Sequence, residues 1–306
     1  MSVQATRSSV TDGGVALSLL EWCSTDARPV DPPILLHHGL ASSAGFWSLV
    51  GRRLAAGDLA GPPRRVVAVD ARGHGESERP GDGYDFATVT ADLHRAIRSL
   101  GWGERPASRP VLVGHSWGGN VVLEFAGRYP DLAAGLVLVD GGFLDLQSAM
   151  GWEQTAAELA PPVLPPMRWS DFAEHAAGWW GGASDEALEA VRHNFDELPD
   201  GTIRSRLDRG HHMKILRALW EQRPAEWAAR VRCPVLMLPA RRDAEPGSRE
   251  HRFLEAKGRH VAAIESALAA SRTKSAVRWF DDTVHDIPLQ RPGELAAAIQ
   301  AFAASL

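Results

Sequence analysis

Cysteine is almost absent from this chain. Its 306 residues include two, Cys23 and Cys233, too few and too distant for a disulfide framework to be read from them. Both read as small buried apolar side chains, and a reducing cytoplasm is their simplest compartment. No run approaches the ~18 consecutive apolar residues that a membrane span needs. The stretch from Met1 to Asp12 is polar and lacks the apolar core of a signal peptide, so a cleavable leader is not expected. No block of Lys and Arg stands out and the net charge is −5, which argues against nucleic acid as the main partner. Internal repeats and low-complexity tracts are also missing.

What the chain does contain is alternation. Asp12-Gly13-Gly14 followed by Val15–Cys23 reads as a turn and a hairpin strand. Ile34-Leu35-Leu36, Arg65–Val69, Pro110–Val113 and Gly135–Val139 are short continuous apolar runs, the form taken by strands buried on both faces. Ala44–Ala56 and Phe86–Leu100 carry helical spacing between them, the latter through Leu93, Ile97 and Leu100. Strand and helix in turn imply an α/β fold with a mostly parallel sheet covered on both sides.

The rhythm stops after about Phe143. Residues 144–228 have few strand-like runs, three paired turn-formers (Pro161-Pro162, Pro165-Pro166 and Gly181-Gly182) and helical segments near 185–195 and 205–221. Six of the eleven tryptophans fall here: Trp152, Trp169, Trp179, Trp180, Trp220 and Trp227. This stretch is expected to be a helical cap inserted into a core domain formed by 1–143 and 229–306. The alternation resumes with strand Pro234–Leu238, a long Ala-rich helix over 248–271, strand Ala276–Phe280 and a closing helix Pro292–Ala304, with Pro292 in its first turn.

The strongest local signal is Gly114-His115-Ser116-Trp117-Gly118-Gly119. It fits G-x-S-x-G with a buried strand before it and a helix after. The turn is tight enough that flanking side chains would collide, and the glycines remove them. Ser116 is then presented at the sheet's C-terminal edge beside a helix N-terminus, where backbone N–H groups and positive potential gather.

With that turn in view, the chain resembles the α/β-hydrolase superfamily. The matching segments are His37-His38-Gly39-Leu40, Asp70-Ala71-Arg72-Gly73-His74-Gly75-Glu76-Ser77, the Ser116 turn, and Asp243 and His285 near the end. The resemblance implies a doubly wound, mostly parallel sheet with a cap, and acyl-transfer chemistry on Ser116. Relatives that open epoxides or remove halides carry Asp at the elbow, so a serine there points away from them. It also implies an oxyanion hole from the backbone N–H groups of Leu40 and Trp117, since fixed donors aimed at developing charge lower the barrier.

A serine hydroxyl needs a base, and the order in this fold is Ser, then Asp or Glu, then His. His285, in a loop before the last helix, is the expected base. His251 and His260 fall inside the long helix and are expected to face solvent, while His211 and His212 fall in the cap. Asp243, shortly after strand Pro234–Leu238, is the expected acid. Asp140, directly after Gly135–Val139, is the competitor, because some members carry the acid there. His37 and His38 are adjacent on a strand and point to opposite faces, so they are read as structural rather than metal ligands. Arg72 and His74 are assigned no chemistry.

The expected activity is hydrolysis of a carboxylic ester or lactone of a small or medium apolar substrate, with no metal or organic cofactor. Three alternatives stay open: a C–C bond hydrolase of diketone-like compounds, an aminopeptidase (Ser116-Trp117-Gly118-Gly119 resembles the elbow of proline iminopeptidases), and a ligand-binding receptor on the same fold.

Overall fold

A computed structural model of the chain describes residues 2–57, 61–162, 165–176 and 184–306, with backbone alone for 177–179. Trp180, Gly181 and Gly182 of the expected cap lie outside the described residues, as do Met1 and the side chain of Trp179.

Eleven strands are present among the described residues: β1 (Val3–Val10), β2 (Leu17–Ser24), β3 (Val30–His37), β4 (Arg64–Val69), β5 (Val111–His115), β6 (Gly135–Val139), β7 (Met167–Arg168), β8 (Phe195–Glu197), β9 (Thr202–Ser205), β10 (Val235–Leu238) and β11 (Ser275–Val277). Eight of them form one sheet in the order β1-β2-β4-β3-β5-β6-β10-β11. The β1–β2 and β2–β4 pairs are antiparallel and all other pairs are parallel. Five residues in β5 and five in β6 are buried without exception, as a sheet covered on both faces requires. The core accordingly splits in two. Leu35, Leu112, Leu136 and Met237 face one layer, whereas Ile34, Val111, Val113 and Val137 face the other; alternate residues along each strand go to opposite sides.

Helices form where the apolar spacing changes. Phe86–Ser99 starts at Asp85, whose carboxylate accepts the Thr88 N–H, a side-chain cap on an otherwise unpaired donor. Helix Ser48–Ala56 stops at Gly57, which takes the left-handed conformation with φ 69°. The long helix runs from Arg249 to Ala270 and buries Lys257, Val261, Ile264 and Leu268, one stripe at helical spacing that includes a lysine.

The 144–228 segment is not purely helical. Besides helices such as Trp152–Leu159, Asp185–Arg192 and Arg209–Glu221, it holds a second, three-stranded sheet in the order β7-β9-β8. These strands are two to four residues long, too short to register as apolar runs. No helix among the described residues is long and apolar enough to cross a membrane.

Parallel strands bring their C-terminal ends to one edge. The register pairs His37 with Gly114, His115 with Val139 and Val139 with Leu238. The residues that follow β3, β5, β6 and β10 therefore emerge side by side, and this is where the chemistry-bearing side chains gather.

Candidate active site

β5 ends at His115 and the next helix, Trp117–Arg128, begins two residues later. Ser116 between them has φ 53° and ψ −125°, a strained conformation for a residue with a side chain. Missing side chains around it make the turn feasible. A Cβ on Gly114 would lie 2.2 Å from the Gly118 carbonyl oxygen, one on Gly118 would lie 2.5 Å from those of His37 and His38, and one on Gly141 would lie 2.0 Å from that of Ser116. The Ser116 N–H donates to the Val139 carbonyl at 3.0 Å, which stitches the turn to the end of β6.

The loop after β3 presses on this turn. A Cβ on Gly39 would sit 3.1 Å from both Ser116 Cβ and His115 Nδ1. Among the described residues, neither the Leu40 nor the Trp117 N–H donates a hydrogen bond to a protein group. The histidines around them are spoken for. His37 Nδ1 donates to the His38 carbonyl at 3.0 Å, and His38 Nδ1 to that of Gly39 at 2.7 Å. His38 Nε2 accepts the Ala71 N–H, and His74 joins the Arg72 carbonyl to the Ala41 N–H. A ring that must donate from one nitrogen and accept at the other is neutral. Burial agrees, pushing His37 to about 4, His74 to about 3 and His38 well below its ordinary value. The Trp117 indole stacks on His74 with centroids 5.5 Å apart, so its side chain points inward. These rings brace the Gly39-Leu40 loop.

His285 reaches the same edge from the loop after β11. That loop is zipped to the exit of β10: the Arg241 N–H donates to the Phe280 carbonyl at 2.9 Å, and the Thr283 N–H to that of Arg241 at 3.1 Å. The His285 carbonyl accepts a hydrogen bond from His115 Nε2 at 3.0 Å, and the two rings lie 4.7 Å apart. His115, the residue just before the serine, thereby tethers the imidazole-bearing loop to the elbow. Its own ring is buried and held to about 4, first by that burial and then by the His285 charge. No hydrogen bond joins the Ser116 hydroxyl to the His285 ring in this structure; the His285 side chain is 51% exposed.

His285 Nδ1 donates to Asp140 Oδ2 at 2.7 Å. That fixes the tautomer and leaves Nε2 as the basic nitrogen. Partial desolvation of its inner side would lower the His285 pKa, but the hydrogen bond and the charge of Asp140, helped by Asp286, hold it above the ordinary value. Asp140 is buried and fully bonded. Oδ1 accepts the Ala240 N–H at 2.9 Å and Lys257 Nζ at 2.8 Å, and Oδ2 also faces Lys257 Nζ at 3.1 Å. Burial would raise its pKa, yet the His285 hydrogen bond, the His285 charge and Lys257 hold it down at about 2.

The expectation of Asp243 as the partner of His285 is therefore corrected: the imidazole is paired with Asp140. Sheet geometry explains why. β6 is the immediate neighbour of β5, so the first residue past β6 emerges beside the elbow, and its N–H is tied to the Leu238 carbonyl at 3.0 Å. Asp243 lies five positions past the end of β10 and is exposed, and His285 Nδ1 is bonded to Asp140 instead. A Cβ on Gly141 would collide with the Ser116 backbone, which is why glycine follows Asp140, but a Gly-Gly pair after a strand is ordinary turn chemistry and does not by itself mark the acid.

Lys257 and His115 went unrecognised in the sequence. A lysine on the buried stripe Lys257, Val261, Ile264 and Leu268 is the signal that could have singled out the first. His115 occupies a variable position of the elbow pattern and offered none. Of the long helix's histidines, His251 pairs with Glu255, while His260 is half-buried against Ser148 rather than turned to solvent. His211 stacks on Tyr84 at 4.5 Å. Arg72 is bound to Asp92 at 2.6 Å. The described cap tryptophans sit in local clusters: Trp152 against Trp220 with Arg217 over both, Trp169 against Phe172 and Phe195, and Trp227 against Arg128 and Arg230. Among the described residues no group of three or more His, Cys, Asp or Glu is placed to hold a metal ion.

Known proteins share this architecture. A family model described as the alpha/beta hydrolase fold matches residues 32–231. An uncharacterized protein of Mycobacterium tuberculosis is 30% identical over 182 residues, covering 56% of this chain and 49% of that protein. A 2-(acetamidomethylene)succinate hydrolase of Mesorhizobium japonicum is 33% identical over 109 residues, covering 36% of this chain and 35% of the relative. The chain thus spans about half the length, or less, of these curated relatives. Among solved structures, E-2-(acetamidomethylene)succinate hydrolase superposes with a TM-score of 0.72 at 21% identity over 98% of this chain and 99% of that one. A thioesterase domain from the curacin biosynthetic pathway gives 0.68 at 20% identity over 97% and 99%.

Proposed function

The chain belongs to the α/β-hydrolase fold family, and from that premise we propose that it is a serine hydrolase working by acyl transfer on Ser116. His285 is the base and Asp140 the carboxylate that orients it. Residues 1–143 and 229–306 form the catalytic core, and 144–228 form the cap. The cap reading is supported by its separate sheet and by its ties to the loop after β4, where Arg206 bonds the Gly75 carbonyl at 2.8 Å and Lys214 bonds that of Gly81 at 2.6 Å.

His285 Nε2 takes the Ser116 proton as Oγ adds to the substrate carbonyl carbon. The oxygen that becomes negative is met by the Leu40 and Trp117 N–H groups. Imidazolium formed at this stage sits 2.7 Å from the buried Asp140 carboxylate, which stabilises it. The proton then passes to the leaving group as the carbonyl re-forms and the old bond breaks, leaving Ser116 acylated. Water, deprotonated by the same imidazole, repeats the sequence and releases the acid. The Ser116–His285 hydrogen bond forms on substrate binding, as catalytic contacts often do.

The single observation that carries this reading is the His285–Asp140 pair, held by His115 beside the elbow. A carboxylic ester or lactone of a small or medium apolar compound is the substrate class. An amide-type bond is the second reading, favoured by the acetamido group in the name of the Mesorhizobium relative. Hydrolysis of p-nitrophenyl acetate, compared between the wild type and Ser116→Ala, tests it. The variant is expected to lose at least about a thousandfold in kcat. Equal rates would leave the receptor reading in place instead.

A further inference from the structure

Lys257 takes no part in the proton path just described, yet its ammonium is inside the site. It projects from the third turn of the Arg249–Ala270 helix and is 5% exposed. Its Nζ donates to both oxygens of Asp140, at 2.8 and 3.1 Å, and to the Ala240 carbonyl at 2.9 Å. All three protons of the ammonium are thus used. The Phe253 ring, one turn back, lies 5.4 Å from Nζ.

We propose that Lys257 is a positioning residue that clamps the exits of β6 and β10 together through Asp140 and Ala240, and that its charge sets how strongly the His285 imidazole holds a proton. This rests on the reading of His285 as base and Asp140 as its partner. A carboxylate facing a lone imidazole lends it the full effect of a negative charge. Here the same carboxylate is shared with a buried cation, so less of that effect reaches the ring. The clamp also removes the carboxylate's rotational freedom, because each oxygen already has two donors.

Four groups act on the His285 ring. Asp140, from the end of β6, and Asp286, in its own loop, favour the protonated form; Lys257, from the long helix, opposes it. His115, from β5, is buried against it, and each ring's charge disfavours the other's. Removing the Lys257 charge leaves the two carboxylates less opposed. The acid limb of kcat/KM, which reports the base in the free enzyme, then moves upward.

The test is the pH dependence of kcat/KM for p-nitrophenyl acetate in Lys257→Met, Lys257→Gln and Lys257→Arg, beside Ser116→Ala. The two neutral variants are expected to raise the midpoint of the acid limb by about half a pH unit, a roughly threefold loss on the acid side. Lys257→Arg keeps the charge and is expected to leave the midpoint in place even if it lowers the melting temperature. A purely structural lysine would cost melting temperature in the neutral variants with the limb unmoved, and that result overturns the proposal. So does an equal shift in Lys257→Arg. If Lys257→Met fails to fold, Lys257→Gln and Lys257→Arg decide the matter by the same criteria. Failure of the underlying reading looks different: Ser116→Ala would then remain active.

Discussion

Replacing Asp140 by Asn separates the two carboxylates that compete for the role of acid. The change is nearly isosteric, so the turn at the end of β6, with φ 40° at this residue, need not move. Three things do change. The negative charge opposite the imidazolium is lost. The amide can present its NH₂ to His285, which selects the tautomer with the proton on the wrong nitrogen. Lys257 is left with a neutral partner inside the protein. The first two act on turnover: loss of a buried triad aspartate lowers kcat by about 10⁴, roughly 5.5 kcal/mol of transition-state stabilisation. The third acts on folding. Both members of the Lys257–Asp140 pair are almost fully buried, with side chains 6% and 2% exposed. Breaking such a pair from one side costs about 3–5 kcal/mol. Asp140→Asn is therefore expected to be both nearly inactive and clearly less stable, whereas Asp243→Asn, at an exposed site, stays within about 0.5 kcal/mol of the wild type in stability and keeps its turnover. Initial rates on p-nitrophenyl acetate and urea denaturation followed by circular dichroism measure the two effects. An Asp140→Asn enzyme that turns over at wild-type rate, alongside an inactive Asp243→Asn, would refute the assignment of the carboxylates.

Two further outcomes follow from the geometry. Gly141→Ala places a Cβ 2.0 Å from the Ser116 carbonyl oxygen, a backbone contact that cannot swing aside; about 3 kcal/mol or more of stability should be lost, seen as a lower urea midpoint, and an unchanged midpoint would contradict the packing of the two turns. Stability should also depend on pH in two opposed ways. His285 binds its proton more tightly folded than unfolded, so its contribution is complete below about 6.5 and fades as pH rises through its higher folded value. Asp140 has the opposite sign: its contribution is complete above about 3.9 and is lost as pH falls toward about 2. Melting temperatures across pH 2–9 check both slopes, the first of which should vanish in His285→Gln.

The sheet and the elbow were legible because local rules impose them. Continuous apolar runs such as Val111-Leu112-Val113 and Leu136-Val137-Leu138 bury both faces in a covered parallel sheet, and the serine between glycines gains its meaning from the strand before it and the helix after. The resemblance to α/β-hydrolases singled out Ser116, His285 and the Gly39-Leu40 loop, and the fold brings all three to one sheet edge. The small β7-β9-β8 sheet could not, since strands of two to four residues have no period to detect. Asp140 and Asp243 are both acidic residues following a strand. Nothing in either local segment ranks β6 beside β5 and puts β10 one place further out.

That ranking is where sequence and fold divide the credit. The chain by itself specified the candidates: a serine in a tight glycine turn, a late histidine and two carboxylates after strands. Which carboxylate meets the imidazole was decided by strand order and by loops zipped across 40 residues, as was the arrival of Lys257 and His115 at the same point. Hydrophobic pattern and turn chemistry act over a few residues and can be read along the chain. Pairing between side chains 117 or 145 positions apart depends on which strands lie next to each other, and only the folded sheet sets that.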